Sequence, residues 1–206
     1  MSGTDESEAE RRHREKMAKR KAVQDAEVAS KTIAEKGLLI VNTGPGKGKS
    51  TAAFGLVMRA LGHGFPVGIV QFIKGAWDTG ERHAIERFGD QVRWYSMGEG
   101  FTWETQDRAR DVAAAGAAWA KAQELMADPA IRLVVLDELN IALRYDYLPL
   151  AEVVEALGNR RPDLHVVVTG RNAKPELVEA ADLVTEMTLV KHHFAAGVKA
   201  QQGIEF

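Results

Sequence analysis

The chain has 206 residues, is 45% hydrophobic and carries a formal net charge of −2, the size and balance of a water-soluble globular protein near one domain in length. It contains no cysteine, which excludes disulfides, thiolate metal sites and iron–sulfur clusters and suits a reducing compartment. The near-neutral charge gives no global attraction to nucleic acid or anionic membrane, no apolar run approaches the ~20 residues that span a bilayer, and the charged N-terminus lacks the apolar centre of a signal peptide. A cytoplasmic protein with neither membrane nor nucleic acid as partner is expected.

Residues 1–36 read as a charged helical arm and residues 37–206 as the globular domain. The arm, "SEAERRHREKMAKRKAVQDAEVASKTIAEK", is rich in Ala, Glu, Lys and Arg with few large apolar side chains, so it can be helical yet bury little. Arg11, Arg12, Arg14, Lys16, Lys19, Arg20 and Lys21 face a single acid, Glu15. A solvated helix is the ordinary reading of such a run; a docking surface for an acidic partner and a flap over an active site are the alternatives.

Beyond the arm, short apolar runs alternate with helical patterns. "GLLIV" (Gly37 to Val41) precedes a helix from Ser50 to about Leu61, and "VGIVQF" follows. A long segment from Ile73 to Thr105 shows no regular pattern and is expected to be irregular and functional. Then come a helix from about Glu104 to Ala127, the run "IRLVVLDEL", a helix near Leu150 to Leu157, "HVVVTG", a helix from Pro175 to Ala181 and "LVTEMTLV". Strands apolar on both faces and separated by helices predict a doubly wound α/β fold with a mostly parallel sheet.

The loop "VNTGPGKGKSTAAFG", Val41 to Gly55, sits between the first strand and the first helix of that pattern. Glycines let successive N–H groups converge on an anion at a helix N-terminus, Lys49 can reach phosphate oxygens, and the Ser50 hydroxyl can hold a divalent cation. The full GxxxxGK(S/T) motif asks for glycine where this chain has Thr43. A second carboxylate site is expected on a neighbouring strand, and "IRLVVLDELN" supplies Asp137 and Glu138 at its carboxyl end, where ligands of open α/β sheets bind. Magnesium needs few protein ligands, so Ser50 with Glu138 or Asp137, directly or through water, would suffice. In a hydrolytic ATPase Glu138 could orient water; in a transferase it could simply ligate the metal.

With these stretches, "VQFIKG", "GFTWET", "YDYLPL", "VVVTGR" and the tail "VKHHFAAGVKAQQGIEF", the chain resembles the P-loop corrinoid adenosyltransferases of cobalamin biosynthesis from about Lys36 to its end. The short charged helix ahead of that region also fits the family, as does a non-glycine residue at Thr43. The resemblance implies transfer of the 5′-deoxyadenosyl group of ATP to the cobalt(I) of a corrinoid, with inorganic triphosphate leaving intact and with Mg²⁺, or Mn²⁺, assisting. It implies an ATP turned so that the γ-phosphate end takes the place usual for α. Gly44, Pro45, Gly46, Lys47, Gly48, Lys49, Ser50 and Thr51 would hold the nucleotide, and Lys49 and Glu138 would serve catalysis. Phe101 and Trp103 would pack beside the corrin and help strip the lower axial ligand from cobalt. His192 and His193 are read as structural, because a donated imidazole would oppose that loss. A reduced flavoprotein as electron donor and a homodimeric state are further expectations. A P-loop ATPase and a non-catalytic nucleotide-dependent binding protein are the competing readings.

Overall fold

A computed structural model of the chain describes residues 7–33, 35–73, 79–98 and 107–205. It divides into two compact units, residues 1–35 and 36–206. In the first, α1 (Glu8–Ala29) starts at a capping box: the Ser7 hydroxyl accepts the Glu10 N–H at 3.3 Å, and the Ser7 N–H donates to the Glu10 carboxylate at 2.8 Å. That exchange satisfies two of the donors a helix start leaves over. None of the residues of α1 is buried. Its exposed pairs at i, i+4 spacing, Glu8 with Arg12 and Lys21 with Asp25, each stabilise a helix by only a few tenths of a kcal/mol, on the order of 0.3.

The second unit holds a six-stranded sheet in the order β3-β2-β4-β5-β1-β6. Its strands are β1 (Leu39–Thr43), β2 (Val67–Gln71), β3 (Val92–Ser96), β4 (Leu133–Asp137), β5 (His165–Thr169) and β6 (Leu183–Glu186), and every described pairing is parallel. Between them run α2 (Lys49–Gly62), α3 (Gly80–Glu86), α4 (Arg108–Ala127), α5 (Leu139–Arg144), α6 (Leu150–Gly158) and α7 (Pro175–Ala180).

Side chains alternate across a strand, and here both alternations are covered. Ile40, Ile69, Val135 and Val167 pack with Ala53, Phe54, Val57 and Leu61 of α2 and with Ile85 of α3. Leu39, Val41, Val134, Leu136, Val166 and Val168 pack on the other face with α4 to α7, through Trp119, Leu125, Leu143, Val153, Leu157 and Leu177. This explains why the central strands read as unbroken apolar runs. α2, after β1, packs on one face and α5, after β4, on the other, and the carboxyl ends of the strands are the usual ligand position in such sheets.

Three elements differ from the sequence expectation. The segment read as irregular, 73–105, contains α3, a 3-10 turn (Gly89–Gln91) and β3. β3 is an edge strand, partly covered at best, so "VRWYS" shows no two-faced apolar run. The run "IRLVVLDEL" stops being a strand at Asp137, because Glu138 takes a left-handed conformation (φ 63°) that turns the chain into α5. β6 is also an edge strand, with all four residues exposed, and it ends at Glu186 rather than running to Val190.

Candidate active site

The glycine-rich loop leaves β1 at Thr43 and enters α2 at Lys49. Gly44 (φ 96°) and Gly48 (φ 105°) occupy left-handed backbone conformations that any side chain would strain. A Cβ at Gly44 would lie 2.5 Å from the Met187 carbonyl oxygen, and one at Gly46 would lie 2.5 Å from that of Thr188. The backbone after β6 is therefore packed directly against the loop. Two hydrogen bonds join them: the Gly46 N–H donates to the Met187 carbonyl at 2.7 Å, and the Met187 N–H to the Thr43 carbonyl at 2.9 Å. The Gly46 N–H thus faces protein, and anion binding falls to the other groups of the loop. Thr43, the departure from the motif, plays a structural part of its own, since its hydroxyl accepts the Ala173 N–H at 3.1 Å and ties the loop entrance to the β5–α7 connection.

Lys49 is buried and donates its ammonium to the Gly46 carbonyl. Burial pushes its pKa below the usual lysine value; Glu138 opposes this, while Arg171 and Lys47 add to it. Asn42, itself buried in β1, donates to the Lys49 carbonyl at 3.3 Å and steadies the helix start. Pro45, Lys47 and Thr51 are exposed.

Asp137 is fully buried at the end of β4. Its Oδ1 accepts the Ser50 hydroxyl at 2.7 Å and the Thr169 hydroxyl at 2.8 Å, and its Oδ2 accepts the Gln71 amide at 3.1 Å. The Gln71 amide is oriented in turn, since its oxygen accepts the Ser96 hydroxyl at 2.8 Å and the Trp94 indole N–H at 3.1 Å. Thr169 also accepts the Glu138 N–H at 2.9 Å. Glu138 reaches toward Gly170, where a Cβ would stand 3.1 Å from its Oε2. Asn140 donates to the Gly170 carbonyl at 2.9 Å, closing the β4 and β5 ends together.

Among the residues expected from sequence, the loop from Gly44 to Thr51 and Asp137 therefore meet through Ser50, and Glu138 acts on Lys49 electrostatically. Phe101 and Trp103 lie outside the described residues. His192 and His193 stack on one another, with ring centroids 4.7 Å apart, in the 3-10 turn His193–Ala196 and its cap. Sequence reasoning passed over Gln71 and Thr169. Their signal is a polar residue closing an apolar strand run at the sheet's carboxyl edge, as in "VGIVQ" and "HVVVT". Among the described residues no three His, Cys, Asp or Glu side chains converge as a metal cage.

A family model described as ATP:corrinoid adenosyltransferase BtuR/CobO/CobP matches residues 35–206, and one described as Cob(I)alamin adenosyltransferase N terminal matches residues 1–28. The chain is 62% identical over 197 residues to a corrinoid adenosyltransferase of Sinorhizobium sp, covering 95% of this chain and 92% of that one. It is 58% identical over 199 residues to a corrinoid adenosyltransferase of Pseudomonas aeruginosa, covering 97% and 98%. To the corrinoid adenosyltransferase CobA of Salmonella typhimurium it is 48% identical over 198 residues, covering 96% and 100%. Because these matches run through the arm as well as the sheet and its phosphate loop, the chain belongs, over essentially its whole length, to the ATP:corrinoid adenosyltransferase family.

Proposed function

We propose that the residues at the carboxyl ends of β1, β4 and β5 carry out adenosyl transfer in the following way. ATP lies with its triphosphate in the Gly44 to Thr51 loop, and the reduced corrinoid approaches the ribose. Cobalt(I) donates its electron pair to the 5′ carbon, the carbon–oxygen bond to the triphosphate breaks, and that electron pair departs with inorganic triphosphate. Cobalt is formally oxidised by two electrons in forming the adenosyl bond. Since cobalt(I) is itself the nucleophile, no side chain has to activate water; the main demands are alignment and stabilisation of the leaving group. The observation that carries this reading is the convergence of Lys49, Ser50 and Asp137 at one sheet edge in a chain of this family.

In this reading Lys49 neutralises charge growing on the departing triphosphate, and its burial makes that charge act in a low-dielectric setting. The residues fit Mg²⁺, with Mn²⁺ as the alternative, because the donors are all hard oxygens: the Ser50 hydroxyl, the Glu138 carboxylate and Asp137. Asp137 already accepts three hydrogen bonds, which suits holding the ion through water while orienting Ser50. When bound, the ion supplies Lewis-acid stabilisation of the triphosphate. Phe101 and Trp103 are assigned to the corrin side, where an apolar wall would favour cobalt without its lower axial ligand.

Around this centre we place a cytoplasmic homodimer supplied with electrons by a reduced flavoprotein, with residues 1–36 as an arm separate from the domain 37–206. The described helices include none long and apolar enough to cross a membrane. The basic run of α1 is assigned to docking the reductase. The deciding experiment incubates the protein with ATP, Mg²⁺ and chemically reduced corrinoids, following adenosyl–cobalt formation and phosphate products. Adenosylcorrinoid with stoichiometric triphosphate supports the reading; ADP and phosphate without adenosylation would replace it with an ATPase.

A further inference from the structure

The chain's final residues return to the phosphate loop. Glu205 accepts the Lys47 ammonium at 2.8 Å on Oε2, and the His193 Nε2 lies 2.5 Å from Oε1. The partners are 158 residues apart in sequence for Lys47 and Glu205. The Glu205 side chain is 17% exposed, so this carboxylate is held in place rather than free in solvent. Lys47, the other lysine of the loop, is half exposed at 53% and able to swing. The hydrogen bond from Lys47 holds Glu205 below the usual carboxylate pKa range, with His193 contributing in the same direction, so the group is ionised at neutral pH.

The same C-terminal segment already brackets the loop through Met187 and Thr188. A negative charge fixed at the rim of a loop built to gather polyanions acts in two ways. It occupies Lys47, removing one of the two lysine charges the loop offers, and it repels phosphate oxygens directly. Both effects weaken binding of a polyphosphate, and both are greatest for the species with the most charge. In the proposed reaction that species is the product.

We propose that Glu205 is a positioning residue that competes with phosphate for Lys47 and thereby speeds release of inorganic triphosphate. The inference rests on the adenosyltransferase reading for the identity of the product. Its mechanism is ordinary competition: a phosphate oxygen and the Glu205 carboxylate cannot both hold the Lys47 ammonium at full strength, so the free energy of the Lys47–Glu205 pair is subtracted from the grip on triphosphate.

The test measures binding of inorganic tripolyphosphate with Mg²⁺ to the full chain by calorimetry, which requires neither corrinoid nor transfer. Glu205→Gln is expected to bind about two- to fivefold tighter than the unaltered protein, the factor that one partly exposed ion pair supplies. The gain should shrink as salt rises toward 1 M, because screening weakens such a pair. Lys47→Gln should bind more weakly, and adding Glu205→Gln to it should recover only the smaller gain that relief of direct repulsion supplies. Product inhibition of adenosyl transfer by tripolyphosphate should strengthen in Glu205→Gln by the same factor. Removing residues 204–206 provides an independent way to delete the carboxylate and is expected to tighten binding similarly. Unchanged or weaker binding in both Glu205 variants overturns the proposal, as does a gain that persists in full without Lys47. Should the unaltered protein fail to adenosylate any corrinoid while Glu205→Gln still tightens tripolyphosphate binding, the reading of the reaction falls and the competition stands.

Discussion

At the residue scale the loop contains groups whose function and stability pull in opposite directions. Lys49 is charged chemistry in a buried place. Because burial lowers its pKa in the folded state relative to 10.5, the unfolded chain binds its proton more tightly. The resulting cost to stability is fully present below the folded pKa and fades as pH rises from there toward the unfolded value. Lys49→Met is therefore expected to be no less stable than the unaltered protein at pH 7, with any advantage narrowing in alkaline solution, as thermal unfolding across pH would show. Lys49→Ala should meanwhile lower turnover by about 100-fold or more, roughly 3 kcal/mol of transition-state stabilisation. Near-normal adenosyl transfer by that variant removes Lys49 from the mechanism. Gly44 illustrates a purely backbone demand, since its φ is 96° and a Cβ there would stand only 2.5 Å from the Met187 carbonyl oxygen. Gly44→Ala should cost about 1–3 kcal/mol of stability and weaken ATP binding at least about tenfold, an equilibrium-binding measurement that comes out unchanged if the loop can relax.

At the scale of elements, the sheet's carboxyl edge is a relay of fixed orientations from β3 through β2 to β4 and across β5. Trp94 and Ser96 orient Gln71, Gln71 and Thr169 orient Asp137, and Asp137 orients Ser50. Asp137→Asn would set an amide N–H₂ either against the Gln71 amide, which cannot flip without losing Trp94 and Ser96, or against the Ser50 and Thr169 hydroxyls, which would have to turn from donating to accepting. A destabilisation of about 1–3 kcal/mol is expected. Adding Gln71→Glu restores an acceptor opposite the new amide, so the double variant should regain part of the stability, whereas metal-dependent activity should stay low. Absence of any recovery in denaturant unfolding would contradict the relay. The opposite edge has its own tie. Asp182 accepts the Leu39 N–H at 2.9 Å and Arg160 at 3.0 Å and also pairs with Lys36, while Arg160 reaches the Gly37 carbonyl at 2.7 Å. The Lys36 hydrogen bond, followed by the Leu39 N–H and nearby Arg160, lowers the Asp182 pKa from 3.8. Its stabilisation is thus present above pH 3.8 and is lost as pH falls through the lower folded value. Asp182→Asn should flatten that part of the acid limb of stability; an unaltered limb would assign acid sensitivity elsewhere.

At the scale of the whole molecule, the packed core of the described residues lies within 36–206, and α1 has no buried residue. Removing residues 1–33 should accordingly move the Tm by less than about 2 °C, since no core contact is lost. Against that background, slower transfer with preformed cobalt(I) would mark the arm as a cover for the site, and slowing only with a flavoprotein donor would mark it as a docking surface. A truncated protein active as before in both assays would leave it a solvated helix. The two-layered core explains why the alternation of unbroken apolar runs with helical patterns pointed to an α/β sheet: the central strands are covered on both faces, while the edge strands β3 and β6 are short of apolar cover.

The alternation of apolar runs with helices, the glycine spacing from Gly44 to Gly48, and the carboxylates closing "IRLVVLDE" were legible because each depends on local rules: strand burial on two faces, positive φ at glycine, and strand ends at a sheet's carboxyl edge. They determined the fold class and the presence of a phosphate loop, and the resemblance named the reaction. Which partners meet was a different matter. The loop motif announced that Ser50 and a strand-end carboxylate would meet, but nothing near Asp137 in the chain announces Gln71 or Thr169, and nothing near Lys47 announces Glu205, because those contacts join residues 32 to 158 positions apart. The edge strand β3 was equally hidden, its mixed side chains reflecting cover on only part of its surface. Local sequence carries the backbone preferences of each element, whereas hydrogen-bond partners between elements exist only once parallel pairing brings β1, β4 and β5 to one edge, and that was decided by tertiary structure.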